Sequence, residues 1–129
     1  MKTYISDAVA FLYFLIDKLP PKANNAFKQA EKGNAVIYLP TIAAAELYYL
    51  FEKKGWLEFW VKLKKEMLKT GTFRYYPFNE KVLNLFDTTK AEEIHDKIIV
   101  STVKVLKADA LITKDKNILR LKEVKTIWS

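Results

Sequence analysis

Two apolar runs of strand length constrain this chain more than any other feature. Ala35 to Leu39 (AVIYL) and Ala110 to Thr113 (ALIT) show no polar–apolar alternation, so each reads as a strand covered on both faces. Covering both faces takes two layers of helices, and the chain supplies helical segments between its strands. Lys2 to Ser6 (KTYIS) predicts a first short strand. Ala8 to Leu19 predicts an apolar helix stopped by Pro20 and Pro21. Lys22 to Lys32 predicts an amphipathic helix with Ala23, Ala26, Phe27 and Ala30 on one face and Gly33 just past its end. Thr41 is a good N-cap for a helix through Lys54 that Gly55 closes, and Trp56 to Lys69 follows as another, ended by Gly71. Thr72 to Tyr76 (TFRYY) predicts a strand broken by Pro77, and Asn79 caps a short helix through Phe86. Ile94 to Leu106 is apolar nearly all round, hence a central helix; Lys116 to Leu119 suits a helical turn and Val124 to Ile127 an edge strand. Strands alternating with helices imply crossovers and a mostly parallel sheet. The expected fold class is α/β, a three-layer α/β/α sandwich forming a single domain over residues 1–129.

Composition narrows the chemistry. With no cysteine, disulfide scaffolds, thiolate zinc sites and cysteine nucleophiles are excluded, and a single histidine, His95, excludes multi-histidine metal sites. The longest apolar run, Ala8 to Ile16, falls short of the roughly 18 residues of a membrane span and meets Asp17 and Lys18. The amino terminus lacks the marks of an export signal, so an intracellular, cytoplasmic protein is expected, with no membrane association. Basic residues outnumber acidic ones 22 to 15, a net charge of +7, and only Arg74 and Arg120 are arginines. Such an excess favours a polyanionic partner such as nucleic acid, although it serves solubility equally well.

Four acids stand where acids are costly or where ligands bind. In a parallel α/β sheet, ligands bind outside the carboxyl ends of the strands. Asp7 directly follows the first strand, and Asp115 comes two residues after Thr113 at the end of another. Glu46 is the only charge in IAAAELYYLF, and Asp96 opens the most hydrophobic helix. Each has a structural explanation: a helix cap for Asp7, a turn for Asp115, a buried ion pair for Glu46, the helix dipole for Asp96. Together they would repel one another and suffer desolvation, which a bound divalent cation relieves. An all-oxygen donor set selects Mg²⁺ or Mn²⁺ over zinc. Mg²⁺ binds phosphate, so phosphodiester hydrolysis is the expected chemistry, with lysines holding flanking phosphates. Lys90, Lys97, Lys114 and Lys116 flank the acids and are the candidates; the Thr113 hydroxyl is placed to orient Asp115.

These residues resemble a known family, the PIN-domain ribonucleases, and within it the VapC-like toxins of prokaryotic toxin–antitoxin pairs. YISDAVAFLYFL is similar to the family's strand–Asp–helix opening, with Asp7 as the first acid. YLPTIAAAELYYLFEKKG is similar to its second block, whose helix carries Glu46. EIHDKIIVSTVKVLKADALITKDKNI, the most specific stretch, is similar to the Asp-initiated helix and the strand ending in Thr-x-Asp, which puts the third and fourth acids on Asp96 and Asp115 and the customary hydroxyl on Thr113. The resemblance implies a Mg²⁺- or Mn²⁺-dependent endoribonuclease acting on RNA. It also implies a homodimer and a cognate antitoxin that blocks activity. The chain departs from the family at Ala8 and Val9, where small polar residues are usual, and the segment between Asn79 and Glu93 is short. That departure leaves a second reading, a PIN-like module that binds RNA or antitoxin with weakened catalysis. A receiver-like phospho-acceptor domain would share the sandwich but leaves Glu46 without a role. Finally, Trp56, Phe59, Trp60, Leu63 and Met67 form an apolar stripe at helical spacing, too wide for one small domain to bury, and are the expected interface.

Overall fold

A computed structural model describes all residues, 1–129. Strands β1 (Lys2–Ser6), β2 (Ala35–Pro40), β3 (Phe73–Tyr76), β4 (Ala110–Ile112) and β5 (Thr126–Ile127) form one sheet in the order β3-β2-β1-β4-β5, and every pair is parallel. Between them run α1 (Ala8–Leu15), α2 (Pro21–Glu31), α3 (Thr41–Lys54), α4 (Leu57–Lys69), α5 (Glu80–Leu83), a 3₁₀ turn at Phe86–Thr88, α6 (Ile94–Leu106) and α7 (Lys116–Leu121). Helices α1 to α4 pack on one another along the outward path from β1 to β3, whereas α5 packs on α6, which crosses back beneath β1. Right-handed crossovers put these two groups on opposite faces. The expected three-layer α/β/α sandwich is the observed architecture. No helix is long and apolar enough to cross a membrane.

The apolar runs that predicted this fold are its centre. Ile5, Ile37, Leu39, Leu111 and Ile112 are all fully buried, as strands covered on both faces require. Under the α1–α4 layer, Phe11, Phe14, Phe27 and Phe73 interlock, with Phe14 stacked on Phe27 at 4.6 Å between centroids. Edge-to-face and offset aromatic pairs of this kind add about 0.5–1.5 kcal/mol each beyond their buried area.

Several expected boundaries move, each for a local reason. The first helix ends at Leu15, not Leu19: Asp17 takes a left-handed φ of 58°, and the Lys18 N–H donates to the Tyr13 carbonyl. Thr41 is the first residue of α3 and makes no cap bond; Pro40 occupies the cap position. Helix α7 runs on to Leu121, which brings Arg120 onto it. The final strand keeps only Thr126 and Ile127. Along α4, Leu63 and Met67 turn inward and are buried, so they belong to the core and not to the expected interface. Trp56 is exposed and Phe59 and Trp60 are partly so; the outward apolar residues of this hairpin are instead Tyr48, Tyr49, Leu57, Val61 and Leu68.

Candidate active site

The sheet order reverses direction at β1 and β4. The chain leaves β1 toward one helical layer and leaves β4 toward the other, and in parallel sheets ligands bind at such a reversal, outside the carboxyl ends of the strands. Asp7 and the Thr113–Asp115 segment directly follow those two strand ends. Asp7 caps α1 in an extended conformation, and its Oδ1 accepts the Ala10 N–H at 2.8 Å. Its Oδ2 accepts the hydroxyl of Thr113, a residue with no exposed surface. The same Thr113 oxygen accepts the Asp115 N–H at 3.0 Å. One threonine thus ties the loop after β1 to the loop after β4. It acts on Asp115 through the backbone, and on Asp7 through the carboxylate.

Asp115 is the cap of α7, its Oδ1 accepting from the Asn117 and Ile118 N–H groups at 2.8 and 3.1 Å. Glu46 comes in on α3, and Asp96 on the first turn of α6. His95 faces Glu46, Nδ1 lying 3.7 Å from Oε2. Its position at a helix start suggests a space-filling role, yet its side chain is half exposed and turned to the acid.

The electrostatics place the four acids in one field. Burial raises the Asp7 carboxyl to about 6, against the lowering effect of the Thr113 and Ala10 bonds, and the negative charges of Asp115 and Glu46 add to the rise. Burial also raises Asp96, with further upward pressure from Asp115, Glu93 and Glu46 and relief from His95. Glu46 is raised by burial and drawn down by His95. Elements that are remote in sequence therefore bring Asp115 and Glu46 close enough to oppose the ionisation of Asp7 and Asp96. No three of the acids and His95 approach closely enough to enclose an ion among them. The donor set still suits a hard divalent cation, since Mg²⁺ keeps most of its waters and needs only one or two carboxylates.

The flanking lysines divide. Lys97 is tethered, its ammonium donating to the Ala91 carbonyl, so it braces the loop before α6 and does not reach out to a phosphate. Lys114 lies on Tyr13, donating to its hydroxyl at 2.8 Å and standing 4.7 Å from the ring centre; Trp128 packs edge-on against the same ring. Lys90 and Lys116 are exposed and make no ion pair. Sequence reasoning missed Asn117 and Arg120, which line a cavity beside Asp96. The one available signal was the spacing Asn117–Arg120 along a short helix, and ending that helix at Leu119 hid it.

No family model matches the chain, and no curated protein does. Solved structures do. The chain is similar to VapBC2 from Rickettsia felis, in a crystal structure bound to a DNA fragment from their promoter, with a TM-score of 0.76 and 20% identity over 98% of this chain and 99% of that one. It is also similar to a toxin–antitoxin complex from Klebsiella pneumoniae, with a TM-score of 0.57 and 17% identity over 96% and 95% of the two chains. At these identities what is shared is the fold, and it is shared from end to end. The parallel α/β architecture expected from the sequence is therefore also the architecture of a chain in each of these two toxin–antitoxin assemblies.

Proposed function

We propose that this chain is a metal-dependent endoribonuclease that hydrolyses RNA phosphodiester bonds, acting in the cytoplasm as the toxin of a toxin–antitoxin pair. The observation that carries the proposal is the shared field of Asp7, Glu46, Asp96 and Asp115 at the point where the sheet reverses direction. Buried carboxyls that also face neighbouring negative charge, as Asp7 and Asp96 do, are poorly disposed without a cation, and the structural likeness to toxin–antitoxin complexes favours the same direction.

Asp7 and Asp96 would hold Mg²⁺ or Mn²⁺ directly, with Glu46 and Asp115 acting through water. A cation held there supplies neutralisation of the phosphate and an acidified water at neutral pH. The protein's own groups do the rest. Thr113 fixes the Asp7 carboxylate from the side opposite the Ala10 N–H, so both oxygens are oriented before any ligand arrives. Glu46 is the group suited to take the proton of the attacking water, because burial makes it more basic than an ordinary carboxylate while His95 limits that rise. Phosphorus gains the water oxygen as Glu46 takes its proton, the bond to the ribose oxygen breaks, and that oxygen takes up a proton from solvent water. Lys116 and Lys90 are free to meet the flanking phosphates. The usual polar residue at position 9 is not needed to hold Asp7, whose two oxygens already have donors while Val9 points to solvent. That favours the enzyme over the weakened binding module.

Partnership follows the same logic. A cognate antitoxin and a second copy of the chain are the proposed partners, with the exposed apolar residues of the α3–α4 hairpin as the contact surface. The test is cleavage of RNA by purified protein with Mg²⁺ or Mn²⁺, in parallel with chelator and with an Asp96→Asn variant. Cutting that needs both the metal and Asp96 supports the proposal; equal cutting by both proteins refutes it.

A further inference from the structure

Beside Asp96 the surface opens into a cavity of about 510 Å³, within the range of about 300–1,000 Å³ that holds small ligands. Its polar lining is Lys90, Glu92, Glu93, Asp96, Asn117 and Arg120, and Ala91 and Leu121 supply an apolar wall. Two cations and three carboxylates thus share one cavity. The only ion pairs of the chain are His95–Glu46 and Lys104–Glu123, so none of these five groups is neutralised by another. The walls are held from behind. The Glu123 carboxylate accepts the Lys90 N–H and the Thr89 hydroxyl while pairing with Lys104 at 3.0 Å, and Lys97 donates to the Ala91 carbonyl. The cavity is therefore preorganised, with its charged ends unspent.

Such a lining selects its occupant. A bare phosphate offers acceptors only and would meet three carboxylates; a simple cation would meet Lys90 and Arg120. The fit is a ligand with acceptors on one edge and donors on another. Among nucleobases only guanine has both: O6 and N7 form a two-acceptor edge that arginine grips bidentately, and N1–H with the N2 amino group forms a two-donor edge. A carboxylate presents two acceptor oxygens to that second edge.

We propose that this cavity is a guanine subsite, which on the nuclease reading of the neighbouring acids seats a guanine of the RNA next to the scissile phosphate. Arg120 donates to O6 and N7. Glu93, at the cap position of α6 with its carboxylate free of any cap bond, accepts from N1–H and the N2 amino group. The base lies against Leu121 and Ala91, and Lys90 is left for the backbone phosphate.

The test begins with binding, which needs no turnover. The intact protein in chelator is titrated with the four nucleoside 5′-monophosphates, followed by NMR or calorimetry. GMP should bind about tenfold more tightly than AMP, CMP or UMP, the worth of one good bidentate base contact. Arg120→Ala and Glu93→Gln, both at exposed positions, should each erase that preference while unfolding at the wild-type temperature. Equal binding of the four, no binding at millimolar nucleotide, or a preference that survives both substitutions overturns the subsite. RNA cleavage then separates the two proposals. Metal-dependent cutting with no guanine at a fixed position overturns the subsite and leaves the nuclease standing. Guanine-selective binding without any cutting supports the subsite as a base-binding cavity and removes the nuclease.

Discussion

Replacing Asp7 by Asn should make the metal-free protein more stable, not less. Asp7 is moved from an ordinary 3.8 to about 6, chiefly by burial. A carboxyl raised on folding contributes stability that is complete below the unfolded value of 3.8 and is lost as pH rises through about 6. Above that pH the ionised group costs about 3 kcal/mol, because the carboxyl has moved by roughly two pH units and each is worth about 1.36 kcal/mol. Asparagine has nearly the same shape, is as good a cap, and cannot ionise. Its amide must turn toward Thr113, whose oxygen already accepts the Asp115 N–H, and the buried hydroxyl then loses the acceptor for its own hydrogen at about 1–2 kcal/mol, so about 1–2 kcal/mol should be recovered. For a domain of this size that is about 4–8 °C in Tm. The assay is thermal unfolding of both proteins in chelator, at pH 8 and at pH 4. Asp7→Asn should melt higher at pH 8, and the advantage should shrink toward zero at pH 4. Adding Mg²⁺ should raise the wild-type Tm and leave the variant where it was. A variant less stable than wild type at pH 8, or an advantage that grows in acid, would show that burial of the Asp7 charge is not what limits stability.

Other outcomes follow from single contacts. Thr113→Val removes the donor that lowers the Asp7 carboxyl and the acceptor of the Asp115 N–H, so the Asp7 titration should move upward and Thr113→Ser should restore it, read by carboxyl ¹³C NMR. Glu123 is held low: burial pushes it up, but the Lys90 N–H, Lys104 and Thr89 together outweigh that. Glu123→Gln should therefore cost about 1–3 kcal/mol in urea unfolding at pH 7. Its effect should fade as pH falls below 4.5 and through the lowered folded value. On α4, Leu63→Ala should cost about 2–5 kcal/mol, since Leu63 is fully buried, whereas exposed Val61→Ala should change stability by less than about 0.5 kcal/mol.

What the sequence disclosed, and what it hid, divides along physical lines. The sandwich was legible because AVIYL and ALIT have no solvent-facing register, and only helices on both faces accommodate that. The four acids were legible only together: Asp7 and Asp115 follow strands, Glu46 and Asp96 stand on apolar helices, and each alone has a local explanation that does not cover the set. The end of α1 was not: Tyr13 to Leu19 stays apolar enough to continue a helix, and nothing local signals that Asp17 adopts a left-handed turn. The facing of α4 was hidden for a related reason. Its apolar residues cover too much of its circumference for spacing alone to say that Leu63 goes inward and Val61 outward. Pairings across distance left no trace at all. His95 with Glu46 arises only when α6 meets α3, and Arg120 with Lys90 in one cavity only when α7 comes to lie beside the loop before α6.

Whether the four acids form a metal-dependent phosphodiesterase centre is decided by incubating RNA with purified wild-type and Asp96→Asn proteins, each with Mn²⁺ or Mg²⁺ and each with chelator. Discrete fragments only in the wild-type lane with metal are the expected result. RNA cut equally by Asp96→Asn, or cut by wild type in chelator, would rule that centre out.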